Sequence, residues 1–282
     1  MIALIGGSGF YEFEGVENPV EHTVVTPFGY PSDSIIKAEI NGVSFLFLPR
    51  HARGHLKTPS EINYKANIWA LKSLGSTEIV SVSAVGSLKQ NIKPGDIVLP
   101  DQYFDWTRGK RDGTFFGNGI TAHISTAKPV CNSLKEKIIQ SAEGINLTVH
   151  EGGAYACVEG PRLGTRAESL FLKGAGCNIV GMTNVPEAFL AREARLCYAS
   201  VCIVTDYDCW MEDPSMHADV QKILNLYAQN LSRLKLLASH LISKGNENEQ
   251  RCGCSVSVKD SLVTKFSLLS EQQKELVHFL DA

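Results

Sequence analysis

The segment Glu78-Ile79-Val80-Ser81-Val82-Ser83-Ala84-Val85-Gly86-Ser87 carries the decision on fold. Apolar and small side chains fill both of its parities, so residues 78–85 read as a strand buried on both faces, as in the centre of an α/β sheet. The same reading covers 2–5, 43–48, 97–99, 178–182 and 198–204. Between these runs the spacing turns helical, over 59–74 (opened by Pro59-Ser60-Glu61, stopped by Gly75), 132–142, 166–173 and 186–195. The clearest helix spans 217–243, with Val220, Ile223, Leu224, Tyr227, Leu231, Leu234, Leu237, Ala238 and Leu241 on one stripe. This alternation predicts an α/β protein, a central mixed sheet flanked by helices. After Lys244 the chain turns polar over 245–251, and Ser270 caps a short helix over 271–280. No internal repeat precedes it, so one domain over 1–244 with an extension over 245–282 is expected.

Composition narrows the function classes. Of 282 residues, 44% are hydrophobic and 20% charged, which excludes disordered, collagenous and coiled-coil chains. Lys+Arg number 27 against 30 Asp+Glu, a net charge of −3, so no global basic field exists to grip a nucleic acid. One small anion in a local pocket remains compatible. The apolar N-terminus lacks the basic flank of a signal peptide, and no run approaches the ~18 apolar residues of a membrane span. A soluble, cytoplasmic protein without a membrane partner is expected.

Eight cysteines are present. Cys157, Cys177, Cys197, Cys202 and Cys209 fall in apolar runs at uneven spacing, with no C-x-x-C pair to suggest zinc. They read as buried free thiols in a reducing compartment. Cys252-Gly253-Cys254 stands apart.

Five segments carry candidate chemistry, most of them at strand ends. Ile5-Gly6-Gly7-Ser8-Gly9-Phe10 follows a strand, and its backbone N–H groups can surround an anion or make a tight turn. Glu12 stands where a dinucleotide fingerprint needs glycine, and no Gly-Lys-Ser/Thr follows, so neither nucleotide loop fits. Arg50-His51-Ala52-Arg53-Gly54-His55 gathers donors suited to an oxyanion, or forms an exposed basic loop. Val82-Ser83-Ala84-Val85-Gly86-Ser87 and Gly181-Met182-Thr183-Asn184-Val185-Pro186-Glu187 add small and polar groups. In Val204-Thr205-Asp206-Tyr207-Asp208-Cys209-Trp210, two carboxylates end an apolar strand, where burial is costly unless they are paired or protonated. Neither has the further ligands of a metal site nearby in sequence, and capping the next helix is the structural alternative. Ligands in open α/β sheets bind beyond the carboxyl ends of strands.

In order and spacing these segments resemble the trimeric purine nucleoside phosphorylases, and within them the 5′-methylthioadenosine phosphorylases. The matching stretches are GGSG (6–9), TPFG and PSD (26–33), RHARGH (50–55), NYKANIWALKSLG (63–75), SAVGSL (83–88), KPGDIVLPDQ (93–102), EGPR (159–162), GTRAES (164–169), GMTNVPE (181–187) and TDYDCW (205–210). The resemblance implies a single-domain nucleoside phosphorylase fold and phosphorolysis of a purine nucleoside, with phosphate as co-substrate and neither metal nor organic cofactor. Phosphate contacts carry over to Ser8, Arg50, His51, Ser83, Ala84 and Thr183. Met182 matches the residue against the ribose, Asp206 the group that protonates or hydrogen-bonds purine N7, and Asp208 the acceptor for a 6-amino group. Asp-x-Asp favours adenine, because the 6-oxopurine branch presents Asn at the first position.

Two departures from the pattern stand out. Leu163-Gly164 stands where members usually carry Phe-Ser, and His217 lies close to where oxopurine enzymes place a His facing the 5′-hydroxyl. His217 beside Val220 therefore adds adenosine to the expected substrates, unless a short deletion after Trp210 shifts the alignment. His123 matches a residue donated across a subunit boundary, implying a homotrimer or a dimer of trimers. Some archaeal relatives with a C-x-C tail carry disulfides, which implies Cys131–Cys202 and Cys252–Cys254 bridges as hypotheses. A 6-oxopurine preference is the rival reading, and a non-catalytic nucleotide-binding module the rival of another class.

Overall fold

The computed structural model describes residues 1–7, 15–107, 109–213, 219–245, 252–255 and 258–282. Among the described residues, eleven strands form one mixed sheet. Its spine is β4 (Val43–Pro49), β1 (Ile2–Gly6), β5 (Glu78–Ser87) and β11 (Cys197–Tyr207), paired in parallel. β2 (Val16–His22) and β3 (Ile35–Ile40) extend it antiparallel beyond β4. At its far end the sheet forks. β5 pairs with β10 (Ile179–Gly181), which leads to β9 (Ala154–Val158) and β7 (Gln102–Trp106). β11 pairs with β6 (Ile97–Leu99), which leads to β8 (Val149–Glu151).

Alternating side chains of β1 show how the sheet is covered. Ile2 and Leu4 join a core closed by α2 (Asn132–Glu143) and α5 (Val220–Ser243), through Leu134, Ile138, Leu237 and Leu241. Ala3 and Ile5 face α1 (Tyr64–Ser73) and α4 (Asn184–Glu193), through Ile68, Leu71, Leu190 and Ala191. α3 (Arg166–Gly174), with a Thr165/Glu168 capping box, covers the β9–β10 side through Leu172. A strand with both faces buried has no polar parity, which is why the 78–85 pattern was so continuous.

Helix starts differ from expectation for local reasons. α1 begins at Tyr64, not at 59, because Asn63 caps it by accepting from Ala66 N–H (3.1 Å). The Glu61 carboxylate is committed to Thr58 (2.9 Å to its N–H, 2.7 Å to its hydroxyl), holding the preceding residues in a turn. α5 begins at Val220 after Asp219, whose side chain accepts from Lys222 N–H (3.1 Å). Ser8 and His217 lie outside the described residues.

The C-terminal segment packs onto the α1/α4 layer. α6 (Glu271–Asp281) opens on the Ser270 capping box and buries Val277 and Leu280, side chains worth about 1.5–3 kcal/mol each when fully buried. Phe279 stacks on Trp69 with centroids 3.7 Å apart. All eight cysteines are free thiols. Cys197 and Cys202, five apart on β11, face opposite sides of the sheet. Cys202 packs with Val85 and Val98 while Cys131 shares the other face with Cys197, so the Cys131–Cys202 bridge is not formed. Cys252 and Cys254 are likewise unbridged.

Candidate active site

The ends of β1, β4, β5, β10 and β11 surround a cavity of about 660 Å³. It brings together Arg50, His51, Ser83, Ala84, Leu163, Gly164, Met182, Thr183, Asp206, Asp208 and Val220 from segments spread over 170 residues of sequence. Of the remaining expected residues, Ser8 and His217 are undescribed, and His123 is exposed outside the cavity. His55, Thr205, Ile223, Leu224 and Tyr227 also line it without having been singled out for this role.

At one end sits Arg50, only 2% exposed. Its Nε and Nη2 donate to the two carboxylate oxygens of Glu187 (2.8 and 3.0 Å), Nη2 also to Ser81 Oγ (2.6 Å), and Nη1 to Val82 O (3.0 Å). Glu187 is fully buried, and Tyr198 donates to it (2.9 Å). A buried guanidinium so paired keeps its proton firmly, because Glu187 outweighs the loss of water. The strand-end cation is therefore neutralised where a bare positive pocket was expected. Arg53 turns away altogether, to Glu21 (2.6 Å) and Asp33 (3.0 Å) at the surface.

Hydroxyls complete this end. Ser83 donates to Asn184 Oδ1 (2.9 Å) and lies 3.3 Å from Thr183 Oγ1. Thr183 stands at the N-cap of α4 without a side-chain capping bond, so its hydroxyl is not committed to the helix. Asn184 in turn donates to Ser200 Oγ (2.6 Å), locking the network from behind. His51 Nδ1 lies 2.9 Å from Lys57 O, which requires the proton on Nδ1 and leaves Nε2 to a ligand. Burial first, then the Arg50 charge, pushes the His51 imidazole down to about 4, so it is neutral in the unliganded pocket. His55 stacks on it at 4.3 Å.

The opposite end is acidic. β11 carries an irregularity between Val204 and Asp206, where the partner register advances by one residue, Val85 to Gly86. The extra residue, Thr205, lets Asp206 and Asp208 both reach the cavity, each 8% exposed. Gly86 makes room, since a Cβ there would lie 3.1 Å from Asp206 Oδ2 and 3.3 Å from Asp208 Cβ. Burial pushes the Asp206 carboxyl up to about 6, opposed by the Thr205 hydroxyl (2.8 Å) and reinforced by Asp208. A carboxyl so placed can share or give a proton near neutral pH. Gly181 is required by another close approach, because a Cβ would collide with the buried Tyr155 hydroxyl.

The walls between the two ends are largely apolar. Val220, Ile223, Leu224 and Tyr227, at i, i+3, i+4 and i+7 of α5, line one side. Leu163 and Gly164 line another, their loop held by Cys209 Sγ on Gly164 O (3.3 Å). Ser83 and Gly86 are three residues apart on β5, so the hydroxyl and carboxyl ends stand about 10 Å apart.

Comparison with known proteins accords with this layout. Residues 1–242 match the model of the phosphorylase superfamily. An S-methyl-5′-thioadenosine phosphorylase of Geobacter sulfurreducens is 44% identical over 98% of this chain and 96% of its own. The crystal structure of a methylthioadenosine phosphorylase from an Antarctic soil metagenomic library superposes with a TM-score of 0.93 at 39% identity, covering 99% of this chain and 98% of that one. A Schistosoma mansoni adenosine/methylthioadenosine phosphorylase variant, in complex with methylthioadenosine, superposes with a TM-score of 0.79 at 36% identity over 86% of this chain and 90% of that one. The chain belongs to the phosphorylase superfamily and, within it, to the S-methyl-5′-thioadenosine phosphorylases.

Proposed function

We propose that this chain cleaves 5′-methylthioadenosine, and adenosine beside it, with inorganic phosphate, giving adenine and the (5-methylthio)ribose 1-phosphate for purine and methionine salvage. The observation that carries this reading is the buried Asp206/Asp208 pair at one end of a cavity whose other end is lined with hydrogen-bond donors. Phosphate is the co-substrate, and the step needs no metal or organic cofactor.

Phosphate sits against Ser8, Ser83, the Ala84 backbone, Thr183, His51 and the second Nη1 hydrogen of Arg50. Because Glu187 cancels the Arg50 charge, the anion is held by placed dipoles more than by net attraction. A bound anion also favours the protonated His51, turning Nε2 into a further donor. One phosphate oxygen forms a bond to C1′ as the C1′–N9 bond breaks, through an oxocarbenium-like sugar with Met182 beside it. Electrons of the breaking bond flow into the purine, and Asp206 delivers or shares a proton at N7. Asp208 accepts from the 6-amino group, and Leu163-Gly164 gives aliphatic surface and space along the base. Val220 borders the 5′ end, with His123 reaching in from the neighbouring subunit of a homotrimer. A cytoplasmic enzyme is the accompanying reading, supported by eight cysteines without a disulfide among them.

Release of free base from methylthioadenosine, adenosine and inosine, each with and without phosphate, tests the reading. Fast phosphate-dependent cleavage of the two 6-aminopurine nucleosides and slow cleavage of inosine is the expected order. Inosine as the best substrate would overturn the roles given to Asp206 and Asp208. Absence of any phosphate-dependent release would leave a binding module instead.

A further inference from the structure

Away from the cavity, the thiols of Cys131, Cys197, Cys252 and Cys254 converge from three distant parts of the chain, every sulfur within 4.8 Å of the other three. Cys197 and Cys252 are 3.2 Å apart, Sγ to Sγ. We propose that these four cysteines bind one tetrahedral zinc ion that fastens the C-terminal segment to the sheet.

The dimensions fit. Zinc–thiolate bonds of about 2.3 Å place the sulfurs of a tetrahedral site about 3.8 Å apart, longer than the 3.2 Å of Cys197–Cys252 and inside the 4.8 Å within which all four lie. The four sulfurs are mutual neighbours, one cluster and not two separate pairs. Soft thiolates without an oxygen or imidazole ligand select zinc over harder divalent ions.

The surroundings suit deprotonated sulfur. Cys131 caps α2, and the Leu134 N–H donates to its Sγ (3.5 Å), so one ligand already accepts a backbone hydrogen bond at a helix N-terminus. Cys197 begins β11, where its own N–H donates to Thr77 O (3.0 Å), which fixes the strand at that point. Arg192 Nη1 donates to Gly253 O (3.0 Å), holding the turn between the two tail cysteines and bringing a cation towards a centre of net charge −2. Only Cys131 is fully buried, and the other three keep partial solvent access, which gives an ion a way in. Binding releases the four thiol protons.

The usual sequence signal is missing because no two ligands have zinc-finger spacing. The tail supplies C-x-C, and its partners Cys131 and Cys197 lie 121 and 55 residues upstream of Cys252.

The test is elemental analysis and intact mass of the full-length protein, made without added chelator in zinc-supplemented medium. The expected result is about one zinc per chain, and eight titratable thiols once the protein is denatured with chelator. Cobalt added to the metal-free protein should produce the thiolate-to-cobalt charge-transfer bands of a tetrahedral site. In Cys254→Ser and Cys252→Ser, zinc content should fall at least about tenfold. Metal-free protein with eight free thiols overturns the proposal. So does a mass lowered by two or four hydrogens, which marks disulfides within the cluster, and so does iron in place of zinc.

Discussion

Burial strips water from the Asp206 carboxyl, and the Thr205 hydroxyl returns one hydrogen bond, so the folded protein holds its proton to about pH 6, against an ordinary 3.8. The folded state therefore binds more protons than the unfolded chain between about pH 4 and 6, and stability falls as pH rises through that window. Asp206→Asn removes this pH dependence. It should be more stable than the parent at pH 8, by about 2 kcal/mol, and equal to it at pH 4, as thermal melts at both values would show. Activity should move the other way. At saturating phosphate, kcat/KM for methylthioadenosine should decline with rising pH above about 6 in the parent and be flat, and about 100-fold lower or more, in Asp206→Asn. Identical pH profiles in the two proteins would assign the limb to another group. That Asp206 and Asp208 sit at an unusual place was legible, because two carboxylates closing an apolar strand need partners or a proton when buried. The ion pair of Arg50 with Glu187 was not, because 137 residues separate its partners and nothing local couples them.

At the scale of elements, the two ends of α5 do different work. Its apolar stripe was legible as a single face, yet its buried core residues, Leu234, Leu237, Ala238, Leu241 and Ile242, all lie in the C-terminal half, with Tyr227 and Leu231 packed partly buried against that core. Val220 and Leu224 remain 63% and 56% exposed and border the cavity. Periodicity reports that a face is apolar, not what covers it, so pocket wall and core look alike in sequence. The edge strands were missed for the opposite reason, since β2 (VENPVEH) is solvated and shows little alternation. The aliphatic part of this wall, Val220, Ile223 and Leu224, suits a methylthio substituent better than a hydroxyl. Leu224→Ser should raise KM for methylthioadenosine about 10- to 100-fold while changing that for adenosine much less, leaving KM for phosphate unaltered. Because the side chain is half exposed, the melting temperature should stay within about 2 °C. Equal losses with both nucleosides would place Leu224 away from the 5′ substituent.

For the whole molecule, the C-terminal segment does more than cover the α1/α4 layer. It braces the loop that carries His123: Ser261 O accepts from the His123 N–H (2.9 Å), Thr264 Oγ1 from the Thr121 N–H (2.9 Å), and Gln273 Nε2 donates to Asn118 O (2.8 Å). The His123 side chain is nevertheless exposed and does not line the cavity of its own chain. The proposed function gives this braced, exposed imidazole to a neighbouring subunit. A head-to-tail ring lets each subunit donate His123 forward and receive one from behind. His123→Ala should then leave stability within about 0.5 kcal/mol of the parent but raise KM for the nucleoside. Light scattering should give the mass of three chains, or of six. Co-expression of the His123→Ala and Asp206→Asn chains decides between a shared site and a private one. In randomly mixed rings, about a quarter of the sites combine Asp206 from one parent with His123 from the other, and these regain full activity. The mixed enzyme should therefore exceed the mean of the two separate variants at low nucleoside concentration. Activity equal to that mean, with mixed rings demonstrated by mass, would mean that each site is complete within one chain.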